Sequence, residues 1–347
     1  MAFTERYVTQ AAGGSGDGSI GDPWTIAEGF ANIVEGERLN IQSDGVYNIA
    51  GLTQSNAGTA WASANLIVFR GYNSSIGDLD GQGRNSSDGS LDTTDFPSII
   101  SSGSIVPNAR SIFMNLNISG SVNGILFGGA ANDNIEIVHC KVVNSANNAN
   151  AIAIEFDNFC GIVNCDVECT GADHNAVCSG DSSTRMLYNR IKATAASESV
   201  VFMRFGSFVG NSVTAAGGVG VEFESAFPTT ATNGALIASN TIYNASRAFD
   251  FASIATTMAG VNVINNHVTD CTYKYYISAA TALFMIEQNT RSRDITSGNN
   301  NLDDGSINMG EVTTDTGGPS TDYEDASIGD LRLISAAPGI DAGVGIG

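Results

Sequence analysis

Glu222 and Glu224 lie two residues apart in an alternating apolar stretch, so they share one face of a strand; Asp250 falls about one repeat later and Arg204 about one repeat earlier. Two carboxylates facing one substrate suit glycoside hydrolysis, at about 5 to 5.5 Å for retention or about 6.5 to 9.5 Å for inversion. Strands stacked at about 4.8 Å bring both separations within reach. Solvated strands also present Glu and Asp outward, and this chain has 36 acidic residues to place. Glu222, Glu224 and Asp250 are therefore the catalytic candidates in a chain whose leading expectation is non-catalytic.

Other reactive residue types are scattered. His139, His174 and His267 fall in different repeats with no Ser or Cys at triad spacing. Asp78-Leu79-Asp80-Gly81 and Asp303-Asp304-Gly305 offer oxygens in Gly turns, the only places where calcium is considered, but neither has the ligand spacing of a known calcium loop. No other cofactor or metal is expected. The run Tyr273-Lys274-Tyr275-Tyr276 reads either as a sugar-stacking or subunit-contact face carried by Tyr273, Tyr275 and Tyr276, or as late core with one Tyr inward. The cysteines at 140, 160, 165, 169, 178 and 271 lack a paired zinc spacing and read as small buried thiols.

What must position these residues is a repeat. Eight segments superpose, each with a polar or small residue flanked two positions either side by mostly aliphatic ones. The central column runs Leu116, Cys140, Cys165, Asn189, Asn211, Asn240, Asn266 and Gln288, at steps of 24, 25, 24, 22, 29, 26 and 22 residues. Such a period marks a solenoid. Alternating, β-branched segments exclude helical repeats, and a coil that returns to register must stack its strands in parallel. The fold expected is all-β, a single-stranded parallel β-helix. From Cys140 to Gln288 the column reads as a structural ladder, because Asn both donates and accepts along the stack and tolerates the left-handed backbone of a bend.

A second strand family recurs at 123–127, 151–157, 175–178, 199–205, 219–224, 247–251 and 274–277. Residues 1–37 read as a loop and a capping α-helix, with Asp22 as N-cap and Pro23 at the first helical position. Residues 38–292 form the β-helix, with a polar, Gly-rich insertion at about 73–97 that leaves the barrel, and residues 293–347 form an irregular segment with one closing strand. The formal charge of −21, with 15 basic residues, argues against nucleic acid. No apolar stretch is long enough to insert in a membrane, and the N-terminal residues lack the pattern of an export signal.

Pro23-Trp24-Thr25-Ile26-Ala27-Glu28-Gly29-Phe30, Gly45-Val46-Tyr47-Asn48-Ile49 and the closing Leu331 to Gly343 resemble the cap, first turn and end of right-handed parallel β-helix proteins of the pectate-lyase-like superfamily. The likeness spans nearly the whole chain and implies a right-handed helix. Lyases of that fold use calcium carboxylate clusters with Arg or Lys as base, an arrangement no strand here shows. The acidic surface, small polar turns and lack of an export pattern look most like bacteriophage β-helix proteins, tail spikes or capsid-decorating trimers. What this implies is a structural virion surface protein, a homotrimer assembled in the host cytoplasm beside capsid or tail proteins and binding host-surface polysaccharide. The alternatives are a glycan-degrading tail spike or glycoside hydrolase acting through Glu222, Glu224 or Asp250, and a secreted adhesin or carbohydrate-binding module.

Overall fold

The computed structural model describes residues 3–62, 64–127, 134–147, 151–158, 160–171, 175–182, 184–195, 199–203, 206–223, 235–251, 258–276, 283–288, 291–293, 323–325 and 330–333. The chain winds as a right-handed parallel β-helix with three strands to a turn. The first sheet has 11 strands, from Thr4–Val8 through Glu37–Gln42 and Ile67–Tyr72 to Leu283–Gln288. The second has 10, from Val46–Ile49 to Arg291–Arg293, and the third has 9, from Leu52–Thr53 to Tyr273–Tyr276. Tyr323–Asp325 and Asp330–Leu333 form a separate antiparallel pair.

Alternation supplies the core. In the first sheet Phe69, Phe113, Ile137, Ile162, Met186, Phe208, Ile237 and Val263 stand in one register line, each fully buried. Each such side chain contributes about 2 kcal/mol of hydrophobic stabilisation. The third sheet adds Val201, Val221, Phe249 and Tyr275 in another line.

The N-terminal end is closed differently from the expectation. Thr4–Val8 already pairs with Glu37–Gln42, so the segment expected to be loop supplies a strand of the first sheet. The helix begins only at Ile26. Thr25 is its N-cap: Glu28 N–H donates to Thr25 Oγ1 at 3.3 Å and Thr25 N–H donates to Glu28 Oε2 at 2.8 Å, a capping box. Asp22 instead closes a turn with Ser19, and Trp24 is extended, its N–H donating to Tyr7 O at 2.9 Å. The helix covers the stack with Phe30, whose ring lies 4.5 Å from Phe69, itself stacked 4.5 Å from Phe113.

The column residues sit at the bend between the first and second sheets. Asn189, Asn211 and Asn240 each send Nδ2–H to the Oδ1 of the next, Asn211, Asn240 and Asn266, at 2.9–3.0 Å. Each Oδ1 also receives the backbone N–H of the residue one turn earlier, and each Nδ2 also donates to a first-sheet carbonyl of the previous turn. Cys165 Sγ takes the same acceptor place, receiving Cys140 N–H at 3.4 Å and donating to Ile137 O. Leu116 is buried at the head of the column.

Two corrections follow. The left-handed residue at each bend is the one before the column: Asn115, His139, Asn164, Tyr188, Gly210, Ser239 and Asn265, with φ between 52° and 67°. In the last turn Ile264 pairs with Gln288 and His267 with Arg291, so Gln288 belongs to the first-sheet strand and not to the column. A shift of two residues preserves the alternation of a strand, which is why pattern alone misplaced it.

Candidate functional site

Between Tyr72 and Ser98 the chain leaves the barrel at this same bend and lies back over the turns that follow. Its departure requires Gly71, where a Cβ would stand 2.0 Å from Asn115 O. Asp78 closes the first turn of the insertion, accepting N–H groups from Asn73, Ser74 and Ser75 at 2.7–3.1 Å. Burial opposes ionisation of Asp78, but those hydrogen bonds prevail and hold its carboxyl below the usual range. Asp80 pairs with Arg70 and accepts Asn115 Nδ2–H at 2.8 Å. Among the described residues no group of His, Cys, Asp and Glu could hold a metal, and Asp303 and Asp304 lie outside them.

Further along, Phe96 sets its ring edge against His139 at 5.3 Å. His139 is buried, with Nδ1 2.9 Å from Asn115 Oδ1. The Asn115 amide nitrogen is committed to Asp80, so its oxygen is the group that faces His139 Nδ1. Burial lowers the pKa of His139, outweighing a hydrogen bond to the Gln82 backbone that favours the charged ring, and the Arg84 charge adds to the lowering.

Arg84 then anchors the insertion. It donates to Asn164 Oδ1 at 3.0 Å, Gly89 O at 2.8 Å, Asp166 Oδ1 at 2.5 Å, Cys165 O at 3.3 Å and Tyr188 O at 3.2 Å. Asp166 is buried, accepts Leu91 N–H at 2.9 Å and lies 3.8 Å from Arg190. Two hydrogen-bond donors, Arg84 and Leu91 N–H, thus reach one buried carboxylate, with the Arg190 charge beside it.

At the end of the insertion a groove of about 370 Å³ opens. One wall is the loop at Arg84, Asn85, Ser86, Asp88 and Gly89. The floor comes from three successive turns: Tyr188 to Arg190, Gly210 to Ser212, and Ser239 with Thr241. Tyr188 is 61% exposed. Its Cδ1–Cε1 edge packs against Gly210 of the next turn, where a Cβ would stand 2.5 Å from Cδ1. A glycine there serves both the φ of 67° and the seat of the ring. The arrangement is a flat aromatic face flanked by hydroxyls, amides and a guanidinium in a concave polar site, able to stack against and hydrogen-bond a small hydroxylated ligand.

The predicted carboxylates lie elsewhere, on the third sheet. Glu222 and Asp250 are register partners on adjacent turns, so the sequence spacing does bring them together. Asp250, however, is only 4% exposed at its side chain and accepts Arg247 Nη1–H at 2.6 Å. Its carboxylate is engaged by a neighbour three residues away rather than presented to a substrate. Glu224 and Arg204 lie outside the described residues, as does the side chain of Gln288.

Tyr275 is corrected to core: it is fully buried, 5.7 Å from the Phe249 ring, and cannot contact a glycan or a subunit. Tyr273 and Tyr276 are half-buried, and Arg247 covers the Tyr276 ring at 3.7 Å. Cys140, Cys160, Cys165, Cys169 and Cys271 are buried, with burial pushing Cys165 and Cys271 up to about 12.

No family model matches the chain, and no curated protein does. Among solved structures, it is similar to the crystal structure of pectate lyase Pel9A, with 13% identity and a TM-score of 0.49 over 99% of this chain and 92% of that one. It is also similar to the GH136 lacto-N-biosidase from Eubacterium ramulus, with 11% identity and a TM-score of 0.45 over 88% of this chain and 67% of that one. No helix among the described residues is long and apolar enough to cross a membrane.

Sequence reading missed the groove. Tyr188 stood in a repeat segment as the residue before the column, and the only signal was a Tyr followed one turn later by Gly210.

Proposed function

We propose that this protein is a glycan-binding β-helix whose site is the groove between the insertion and the bends at Tyr188, Gly210 and Ser239. The observation that carries the reading is the exposed Tyr188 ring, its Cδ1–Cε1 edge seated against Gly210, with Arg190, Ser212 and Thr241 lining the same groove. A pyranose offers such a site an apolar face for stacking and equatorial hydroxyls for the surrounding donors and acceptors. Binding rather than hydrolysis is favoured because Asp250 is engaged by Arg247, and the carboxylate beneath the wall, Asp166, is held by Arg84. The setting that fits is the surface of a virion, with a homotrimer presenting the groove to host-surface polysaccharide. Mass by light scattering, together with detection of the chain in purified particles, tests that setting.

The site itself is tested on a printed array of oligosaccharides. The native protein is expected to retain a subset, and Tyr188→Ala to weaken retention about tenfold, the equivalent of about 1.4 kcal/mol, with an unchanged melting temperature. Equal retention by both proteins would remove the groove as the binding site, and no retention by the native protein would end the glycan reading.

A further inference from the structure

We infer that the groove takes the end of a linear glycan rather than its interior, with the wall at Arg84 to Gly89 as the stop. The inference rests on the glycan reading above and adds a direction to it.

The floor of the groove is one outward register line of the second sheet. Lys141, Asp166, Arg190, Ser212, Thr241 and His267 are partners on successive turns. A polymer lying along this line would advance about 4.8 Å per turn, close to one pyranose unit per rung. The line is not open at both ends. At Asp166 the insertion sits directly upon it: Arg84 Nη1 donates to Asp166 Oδ1 at 2.5 Å and Leu91 N–H to Asp166 Oδ2 at 2.9 Å. The residues that close over Asp166 continue into the wall of the groove, and Gly89 N–H donates to Asn85 O at 3.0 Å to hold that wall as a tight turn.

In the other direction the line runs on through Ser212 and Thr241 to His267. The space is therefore blind at the Asp166 rung and spans the three rungs of Arg190, Ser212 and Thr241, enough for a terminal sugar and about two units behind it. The rigidity of the stop follows from its anchor. Arg84 spends five hydrogen bonds on Asn164, Cys165, Asp166, Tyr188 and its own loop, so admitting a continuing chain would mean breaking a buried ion pair.

End recognition has a stoichiometric signature. The probes are three linear polysaccharides, a neutral glucan, a polymer of N-acetylated hexosamine and a polyuronate. Each is offered at equal mass as intact polymer and as a hydrolysate about ten times shorter, and the moles of protein bound at saturation are measured by sedimentation or calorimetry. For whichever probe binds, the hydrolysate is expected to take up about tenfold more protein, because it has about tenfold more ends.

A variant lacking Ser86, Ser87 and Asp88, which keeps Arg84 but lowers the wall, is expected to bind the intact polymer at a capacity independent of chain length; its fold is checked by circular dichroism. Equal capacity for polymer and hydrolysate with the native wall would overturn end recognition while leaving glycan binding standing. Failure of all three probes together with a blank oligosaccharide array would overturn both.

Discussion

The same bend is used in two ways along one edge of this molecule. Under the insertion, the left-handed residues are Asn115, His139 and Asn164, and each is spent on the loop above: Asn115 on Asp80, His139 against Phe96, Asn164 on Arg84. Beyond it the equivalent residues are Tyr188, Gly210 and Ser239, which line the groove. Backbone angles barely change, with φ of 57°, 54° and 52° in the covered set and 58°, 67° and 54° in the open one. The scaffold is thus indifferent to what it carries. Asn115, His139 and Asn164 meet the insertion; Tyr188 and Gly210 face the groove.

Removing the cover should give the largest effect. Arg84→Ala leaves the buried Asp166 without its nearest cation and is expected to cost about 4 kcal/mol of docking free energy. Hydrogen exchange over residues 73–97 should accelerate strongly while the third sheet is unaffected, and equal protection in the variant would show that the loop docks by other contacts. Next is a change common to both regions. Asn211→Ala orphans Asn189 N–H and removes two ladder links, and a loss of about 3 kcal/mol is expected in chemical denaturation.

On the open side, Gly210→Ala imposes a Cβ on a left-handed residue and displaces the Tyr188 ring. About 1 kcal/mol of stability should be lost, with weaker glycan retention than that change alone explains. A variant that retained glycan fully would mean the ring need not rest on Gly210.

The smallest effect concerns acid. His139 is buried in the neutral form, with Arg84, Asp166 and Asp80 as the charged groups facing it. Its folded pKa lies below the unfolded value of about 6.5, so its contribution to docking is complete above that value and declines as the pH falls through and below it. Limited proteolysis of the insertion should therefore rise between about pH 7 and pH 5, and His139→Gln should flatten that rise.

The contrast also explains what the sequence revealed. The ladder was legible because Asn recurs at one position for one reason, and the third-sheet strands because apolar alternation repeats within each turn. The left-handed column mixes types, three Asn with His, Tyr, Gly and Ser, so its pattern is weaker than that of the ladder beside it. The landing of the insertion depends on Arg84 meeting Asp166 across 82 residues, a contact that no local signal announces. Glu222 and Asp250 were correctly read as neighbours, yet the Arg247 that occupies Asp250 sits within the same strand, where its reach could not be inferred from spacing alone.

In the Asn ladder each rung offers its neighbours the same hydrogen bonds, so one turn can be spliced in or cut out between Asn189 and Asn266 with both joints closing as before. The stop at Arg84 would not notice. Groove length then behaves as a count, adjustable in whole rungs by duplication or loss of a coil, while the device that senses where a ligand begins is inherited separately, upstream of every site where counting happens.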